Sequence, residues 1–142
     1  MDKIRGAKAF LLYNDKILTV LRDNNPEINF PDMWDIPGGR REEGETPFEC
    51  LEREVMEEVN VKIFERDVIW QLEVISDVNP GKTTQLYALN LTDQQVKEIK
   101  LGNEGQCWKF MEINDYLSHP KVISHHKIRL RAFLKFNQAK TD

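Results

Sequence analysis

The sequence predicts a mixed α/β or α+β domain. Three observations carry this: five strand-like runs separated by turn residues, one sharply capped amphipathic helix near the middle, and a second helical stretch near the C-terminus. The chain has 142 residues and shows no internal repeat, low-complexity tract or interdomain linker, so a single domain over 1–142 is expected.

Residues 3–13 and 16–22 read as strands, with Ile17, Leu18, Val20 and Leu21 as strand formers and Asn14-Asp15 as the tight turn between them. Residues 23–33 form a polar loop with two prolines, and Trp34 to Pro37 is a short apolar piece ending at Gly38-Gly39. Thr46-Pro47-Phe48-Glu49 is a capping box with proline at the first helical position. The helix it opens should end at Val59, with Asn60 as the left-handed terminating residue. Strands follow at 67–76 and 83–91, joined by a turn with Pro80 and Gly81 at its centre. A polar stretch precedes a short strand at 106–111 holding Trp108 and Phe110. A last helix is expected from about Val122 to Phe136, with Ile128, Leu130, Phe133 and Leu134 supplying apolar contacts.

Composition narrows the function. A formal net charge of −4 gives no basic face for a nucleic-acid backbone, so no nucleic-acid partner is expected. Cys50 and Cys107 lie in no CxxC or Cys/His zinc pattern and read as free thiols. Met1 to Gly6 has no apolar run behind its charges, and no stretch approaches ~20 apolar residues, so the expected location is cytoplasmic, with no membrane partner. The sequence leaves monomer and homodimer both open.

The chemistry concentrates in the capped helix. At about 100° per residue, and with Glu54 at zero, Glu57 falls at about 300° and Glu58 at about 40°, so three carboxylates share one face. Phe48, Leu51, Val55 and Val59 fall between about 60° and 140° and form the core face, while Glu49, Glu52 and Met56 take the third side. Like charges at i,i+4 destabilise a helix by a few tenths of a kcal/mol, and Glu57 and Glu58 sit at the end the helix dipole disfavours for anions. Two readings are open on these three residues alone: a solvated glutamate face, or hard oxygen ligands for Mg²⁺ or Mn²⁺.

The wider segment, 39–61, resembles the Nudix box, GX5EX7REUXEEXGU with U aliphatic. Gly39, Glu45, Arg53, Glu54, Val55, Glu57, Glu58 and Val61 stand at the matching positions. Six specific matches have a chance probability on the order of 10⁻⁷ per start. One position departs: Asn60 stands where the family has glycine, a mild change if the site is left-handed. Pro37-Gly38-Gly39 before the box and Glu104-Gly105-Gln106-Cys107-Trp108 after it are also similar to the family.

The resemblance implies a Nudix-type α/β/α sandwich with a mixed sheet. It implies Mg²⁺-dependent hydrolysis (Mn²⁺ as a substitute) of a phosphoanhydride bond in a nucleoside diphosphate linked to another moiety. Within that, a nucleoside triphosphate or oxidised guanine nucleotide, giving a nucleoside monophosphate and pyrophosphate, fits a short MutT-like chain; nucleotide sugars and dinucleoside polyphosphates stay open. A nucleotide-sensing module without catalysis and a prenyl-diphosphate isomerase are the rival classes. Residue by residue, it makes Glu54, Glu57 and Glu58 metal ligands, with Glu57 or Glu58 relaying a proton and the Gly38 carbonyl completing the site. Arg53 would face away from the metal and pair with Glu45. Glu104 stands where relatives carry a loop glutamate that binds metal or activates water. Arg22 resembles a substrate-contacting position, with a surface charge as the alternative, and Trp34 is a candidate for stacking on a base or for the core. Asn29 and Phe30 could border the pocket. His119, His125 and His126 show no metal-ligand spacing, and His125 or His126 is a candidate substrate contact.

Overall fold

The computed structural model describes residues 2–141. Its elements are β1 (Ile4–Tyr13), β2 (Lys16–Leu21), β3 (Trp34–Asp35), β4 (Gly38–Arg40), α1 (Pro47–Val59), a 3-10 turn (Glu65–Asp67), β5 (Val68–Ile75), β6 (Thr83–Asn90), α2 (Asp93–Lys97), β7 (Cys107–Glu112), α3 (Ile113–Ser118) and α4 (Ser124–Thr141). The strands form one mixed sheet, β3-β2-β1-β6-β5, with β4 against β1 and β7 against β2. β1 and β6 run parallel from Ile4↔Thr83 to Leu12↔Asn90, and the remaining pairings are antiparallel.

Strand alternation splits the core into two halves. Ala7, Ala9 and Leu11 of β1 and Tyr87 and Leu89 of β6 face the buried stripe of α1, namely Phe48, Leu51, Val55 and Val59. Phe10, Leu12, Leu86 and Ala88 face the other way, onto Tyr116 of α3 and Leu130 and Phe133 of α4. The result is a sheet between two helical layers, α+β in composition, as the sequence predicts. Among the described residues, no helix is long and apolar enough to cross a membrane.

The turns follow their residues. Asn14 (φ 49°) and Asp15 (φ 62°) both take left-handed backbone, as a two-residue hairpin of matching twist requires. The Lys82 N–H closes the Pro80-Gly81 turn onto the Asn79 carbonyl at 3.1 Å.

Four expectations need correcting. The last helix starts at Ser124 rather than Val122, because Val122 is drawn into a bridge with Trp34, and it continues to Thr141. Ile128 is 69% exposed and packs no core. It lies about 160° around the helix from Leu130, whereas His126 and Phe133 share the buried side. The polar stretch contains α2, opened by a capping box between Thr92 and Gln95. Gly38–Arg40 is a strand, not only a turn, since it pairs with Gly6 to Lys8 of β1.

Helix α1 is built as expected. The Thr46 hydroxyl accepts from the Glu49 N–H at 3.1 Å, and the Glu49 carboxylate accepts from the Thr46 N–H at 2.8 Å. At the other end Asn60 sits at φ 63°, ψ 32°, and its amide donates to the Glu98 carbonyl at 3.0 Å. The Gly102 N–H then donates to the Glu58 carbonyl at 2.9 Å, so the 98–102 segment caps the carboxylate-bearing end of α1. Replacing Asn60 by Val is therefore expected to cost about 2–3 kcal/mol, from left-handed strain of ~1–2 kcal/mol plus a lost hydrogen bond. Asn60→Gly should stay within about 1 kcal/mol of the parent. Urea denaturation of both variants checks this; equal tolerance of Val and Gly would show that the left-handed geometry is dispensable.

Candidate active site

A cleft of about 690 Å³ opens where the first half of β1, strand β4, the carboxylate face of α1, the loop after β2 and the start of α4 meet. A smaller cavity of about 240 Å³ adjoins it and shares Lys8, Arg22, Asp35, Gly38, Glu58 and Glu104.

One wall carries the helix acids. Glu54, Glu57 and Glu58 all line the cleft, as their spacing on α1 requires. Gly39 passes directly beneath Glu54: a Cβ there would lie 2.5 Å from the Glu54 carboxyl carbon, so a side chain at this position would push the carboxylate out of its place. Arg53 clamps the arrangement. Its Nε and Nη2 donate to the two carboxylate oxygens of Glu45 at 2.7 and 3.0 Å, and its Nη2 also reaches the Arg40 carbonyl at 2.9 Å. The pairing with Glu45 is as expected, but the orientation is not: Nη1 donates to Glu54 Oε1 at 2.9 Å and lies 3.4 Å from Glu57, so Arg53 does not turn its back on the acids. Hydrogen bonding to Glu45 holds its guanidinium firmly charged. This cation offsets part of the repulsion among the glutamates.

Glu58 has a different environment. Burial pushes its carboxyl up, the negative charges of Asp35 and Glu54 add to that, and Lys8 and a Gly38 backbone hydrogen bond only partly oppose it, leaving it at about 8. Among the described residues, no three acidic, imidazole or thiol groups are gathered into a ready-made metal cage. The donor set still fits a hard divalent cation: three carboxylates and the glycine backbone on one wall, all oxygen, with one carboxyl whose burial makes ionisation costly until positive charge arrives.

Behind this wall stands a charged node that the sequence did not announce. The buried carboxylate of Asp35 accepts from Lys8 Nζ at 3.1 Å, Arg22 Nη1 at 3.1 Å, His126 Nε2 at 2.9 Å and the Ile36 N–H at 2.8 Å. Burial alone would raise Asp35; Lys8 and the His126 hydrogen bond overcome it and hold the carboxyl well below the usual range. His126 is 2% exposed, and burial lowers its pKa. His125 beside it is lowered to about 4, by burial first and then by His126, despite Asp77 at 3.3 Å. Its ring packs edge-on to Phe30 at 5.4 Å between centroids.

The remaining candidates divide. Arg22, Asn29, Phe30 and Glu104 line the cleft, although Arg22 is already committed to Asp35 and to the Asn29 carbonyl at 2.8 Å. Trp34 does not line it: the side chain is 8% exposed, packed in the α4-side core with Lys109 over its ring at 4.7 Å, so no face is free for a base. His119 lies away from the cleft. Cys50 is buried on α1 and Cys107 is exposed on β7; neither lines the cleft.

Known proteins resemble this chain in sequence and in fold. A family model described as the NUDIX domain matches residues 2–132. Nudix hydrolase 5 of Arabidopsis thaliana is 25% identical over 115 residues, which is 81% of this chain and 38% of the relative, so the chain spans well under half of that protein. The fold is similar to the MutT protein from Methanosarcina mazei, with a TM-score of 0.72, 20% identity and 96% of each chain covered. It is also similar to an Ap4A hydrolase from C. elegans, with a TM-score of 0.71, 21% identity and coverage of 95% of this chain and 99% of that one. A bifunctional NMN adenylyltransferase/ADP ribose pyrophosphatase from Francisella tularensis, complexed with AMP and manganese, matches at a TM-score of 0.70 and 20% identity over 95% of this chain and 42% of that one. At such identities these structures speak to the fold alone.

Proposed function

The chain belongs to the Nudix domain family, and from that premise we propose that it hydrolyses a phosphoanhydride bond in a nucleoside-diphosphate derivative. Our first choice of substrate is a nucleoside triphosphate, oxidised guanine nucleotides included, cleaved to a nucleoside monophosphate and pyrophosphate. The observation that carries the reading is the shared wall: Glu54, Glu57 and Glu58 reach one cleft beside Gly38, where a Cβ would lie 2.2 Å from the Ala7 carbonyl oxygen, with Arg53 locking Glu45 and Glu54 in place. A solvated glutamate face has no use for such a clamp.

In this reading Glu54, Glu57 and Glu58, with the Gly38 carbonyl, hold Mg²⁺ or Mn²⁺. The bound ion would supply polarised phosphoryl oxygens and a more acidic water. The protein supplies the rest. Burial lifts the Glu58 carboxyl to about 8; a bound cation would favour its ionised form, which can then accept a proton. Arg53 fixes the Glu54 carboxylate so that little reorganisation is needed on binding. Glu104, exposed on the loop across the cleft, is positioned to face the substrate and assist water. Phe30 and His125 offer the aromatic edge against which a base can settle.

The test is a panel of nucleoside triphosphates, nucleotide sugars and dinucleoside polyphosphates with Mg²⁺, scored for pyrophosphate and monophosphate, beside a thermal melt with and without Mg²⁺. Turnover of at least one class and a higher Tm with Mg²⁺ are expected. Mg²⁺ stabilisation with no turnover of any member would leave a nucleotide-binding module instead. Stabilisation by Zn²⁺ alone would count against the oxygen-ligand site. Glu104→Gln should slow turnover while keeping the Mg²⁺ shift in Tm; near-parental kcat from pH 7 to 9 would reduce Glu104 to a loop residue.

A further inference from the structure

Five lysine and arginine side chains line the cleft: Arg5, Lys8, Arg22, Arg40 and Arg129. Three are engaged. Lys8 and Arg22 hold Asp35, and Arg129 donates to Asp77 and to the Ile75 carbonyl. Arg5 and Arg40 carry no side-chain hydrogen bond or ion pair among the described residues. Their neighbour Arg41, by contrast, is tied to Asp2, to the Ile4 carbonyl and to the Glu45 carbonyl.

The sheet puts these two free guanidinium groups together. Gly6 pairs with Arg40 across β4 and with Thr84 across β6. Cross-strand partners project to the same face, so Arg40 and Thr84 flank a position that has no side chain. The gap is enforced, since a Cβ on Gly6 would lie 2.5 Å from the Gly39 carbonyl oxygen. With neighbouring strands ~4.8 Å apart, the two flanking Cα atoms stand ~10 Å from each other, room for one phosphate group between their side chains. Arg5 joins them through an irregularity. The β1–β6 register shifts between Ile4 and Gly6, leaving Arg5 out of step with the alternation that would turn it toward the α1-side core. Such bulges re-aim side chains beside functional sites, and Arg5 lines the cleft.

We propose that Arg5, Arg40 and Thr84 form an anion subsite that takes a phosphate beyond the two joined by the scissile bond. This rests on the proposed hydrolase reading and sharpens it: the substrate carries at least three phosphates in a row, as in nucleoside triphosphates and dinucleoside polyphosphates. A nucleoside diphosphate sugar would leave the subsite empty. Two guanidinium groups in fork geometry and one hydroxyl suit the several oxygens of a phosphate.

The experiment compares the parent with the double variant Arg5→Gln/Arg40→Gln. KM for a nucleoside triphosphate and for a dinucleoside tetraphosphate should rise at least ~10-fold, whereas KM for a nucleoside diphosphate sugar should stay within about twofold. A rise with the triphosphate alone would assign the subsite to a terminal phosphate; a rise with both would assign it to any chain phosphate. Affinity for inorganic tripolyphosphate, measured by calorimetry on the metal-free protein, should fall by a similar factor. Equal losses on all substrates, or unchanged tripolyphosphate affinity, would overturn the subsite. The calorimetric arm needs no turnover, so a protein that hydrolyses none of these compounds would defeat the proposed function while the titration still decides the subsite.

Discussion

Asp35→Asn is expected to lower stability by about 3–5 kcal/mol, roughly 10–20 °C in Tm for a chain of this size. The wild-type carboxylate is buried and answers three side-chain donors at once: Lys8 and Arg22 at 3.1 Å each, and His126 Nε2 at 2.9 Å. Asparagine keeps the volume but removes the charge that compensates two cations, and its amide can accept through only one oxygen. The uncompensated cations, not the lost attraction, dominate the cost. The pH dependence has a definite sign. The folded-state pKa of Asp35 is depressed, so its contribution is present above the ordinary carboxylate range and disappears as the pH falls through and below it. The parent should thus lose stability with acid more steeply than Asp35→Asn. A second consequence lies across the cleft. The charge of Asp35 helps to raise Glu58, and Lys8 works against it. Without Asp35, Glu58 should titrate lower. Chemical denaturation from pH 3 to 8 measures the first effect; a difference under about 1 kcal/mol at neutral pH would show that the node is not a stability element.

This node also marks the limit of what the sequence discloses. The box helix was legible because its information is local. Caps, core stripe and carboxylate face are all set by spacings within one helix, and the left-handed Asn60 is a terminal residue with a known conformational preference. The direction of Arg53 follows from the same helical geometry: at about 260° it lies only about 40° from Glu57. Asp35 meets Lys8 from 27 residues away and His126 from 91. No spacing rule links them. The available signal was weaker and of another kind, a charged residue inside an apolar strand: Lys8 among the alanines of β1, and Asp35 between Trp34 and Ile36. Two opposite charges in apolar strands must find each other or a ligand. Trp34 shows the converse. A tryptophan after a polar loop offers no local clue to whether it stacks or packs; its pairing with β2 and its bridge to Val122 decide for the core. Ile128 is apolar but exposed, because its helical angle sets it opposite the buried Leu130.

Glu58→Gln should separate catalysis from stability in opposite directions. Activity should fall at least ~10²-fold, because the variant loses both a charged oxygen and the proton-exchanging group of the acid wall. Stability of the cation-free protein should respond to pH instead. The folded-state pKa of Glu58 is raised to about 8, above the ordinary carboxyl value of 4.5. Between those values the folded protein holds a proton that the unfolded chain has released, so stability falls as the pH rises toward 8 and the loss is complete above it. Glutamine, neutral at every pH, removes this slope. In chelator, Glu58→Gln should therefore be close to the parent at pH 5 and more stable at pH 9, by on the order of 1–3 kcal/mol. Adding Mg²⁺ at pH 9 should return the advantage to the parent, whose ionised carboxylate is then compensated. Glu57→Gln provides the control: it lies exposed on the same wall, so it should lose ~10²-fold in kcat but show little of the pH-dependent gain in stability. Melts at pH 5, 7 and 9 with EDTA or Mg²⁺ decide the matter. If Glu58→Gln and Glu57→Gln gain equally at pH 9, the burden is general repulsion along α1 rather than the burial of one carboxylate, and Glu58 loses its special place as the proton carrier of the cleft.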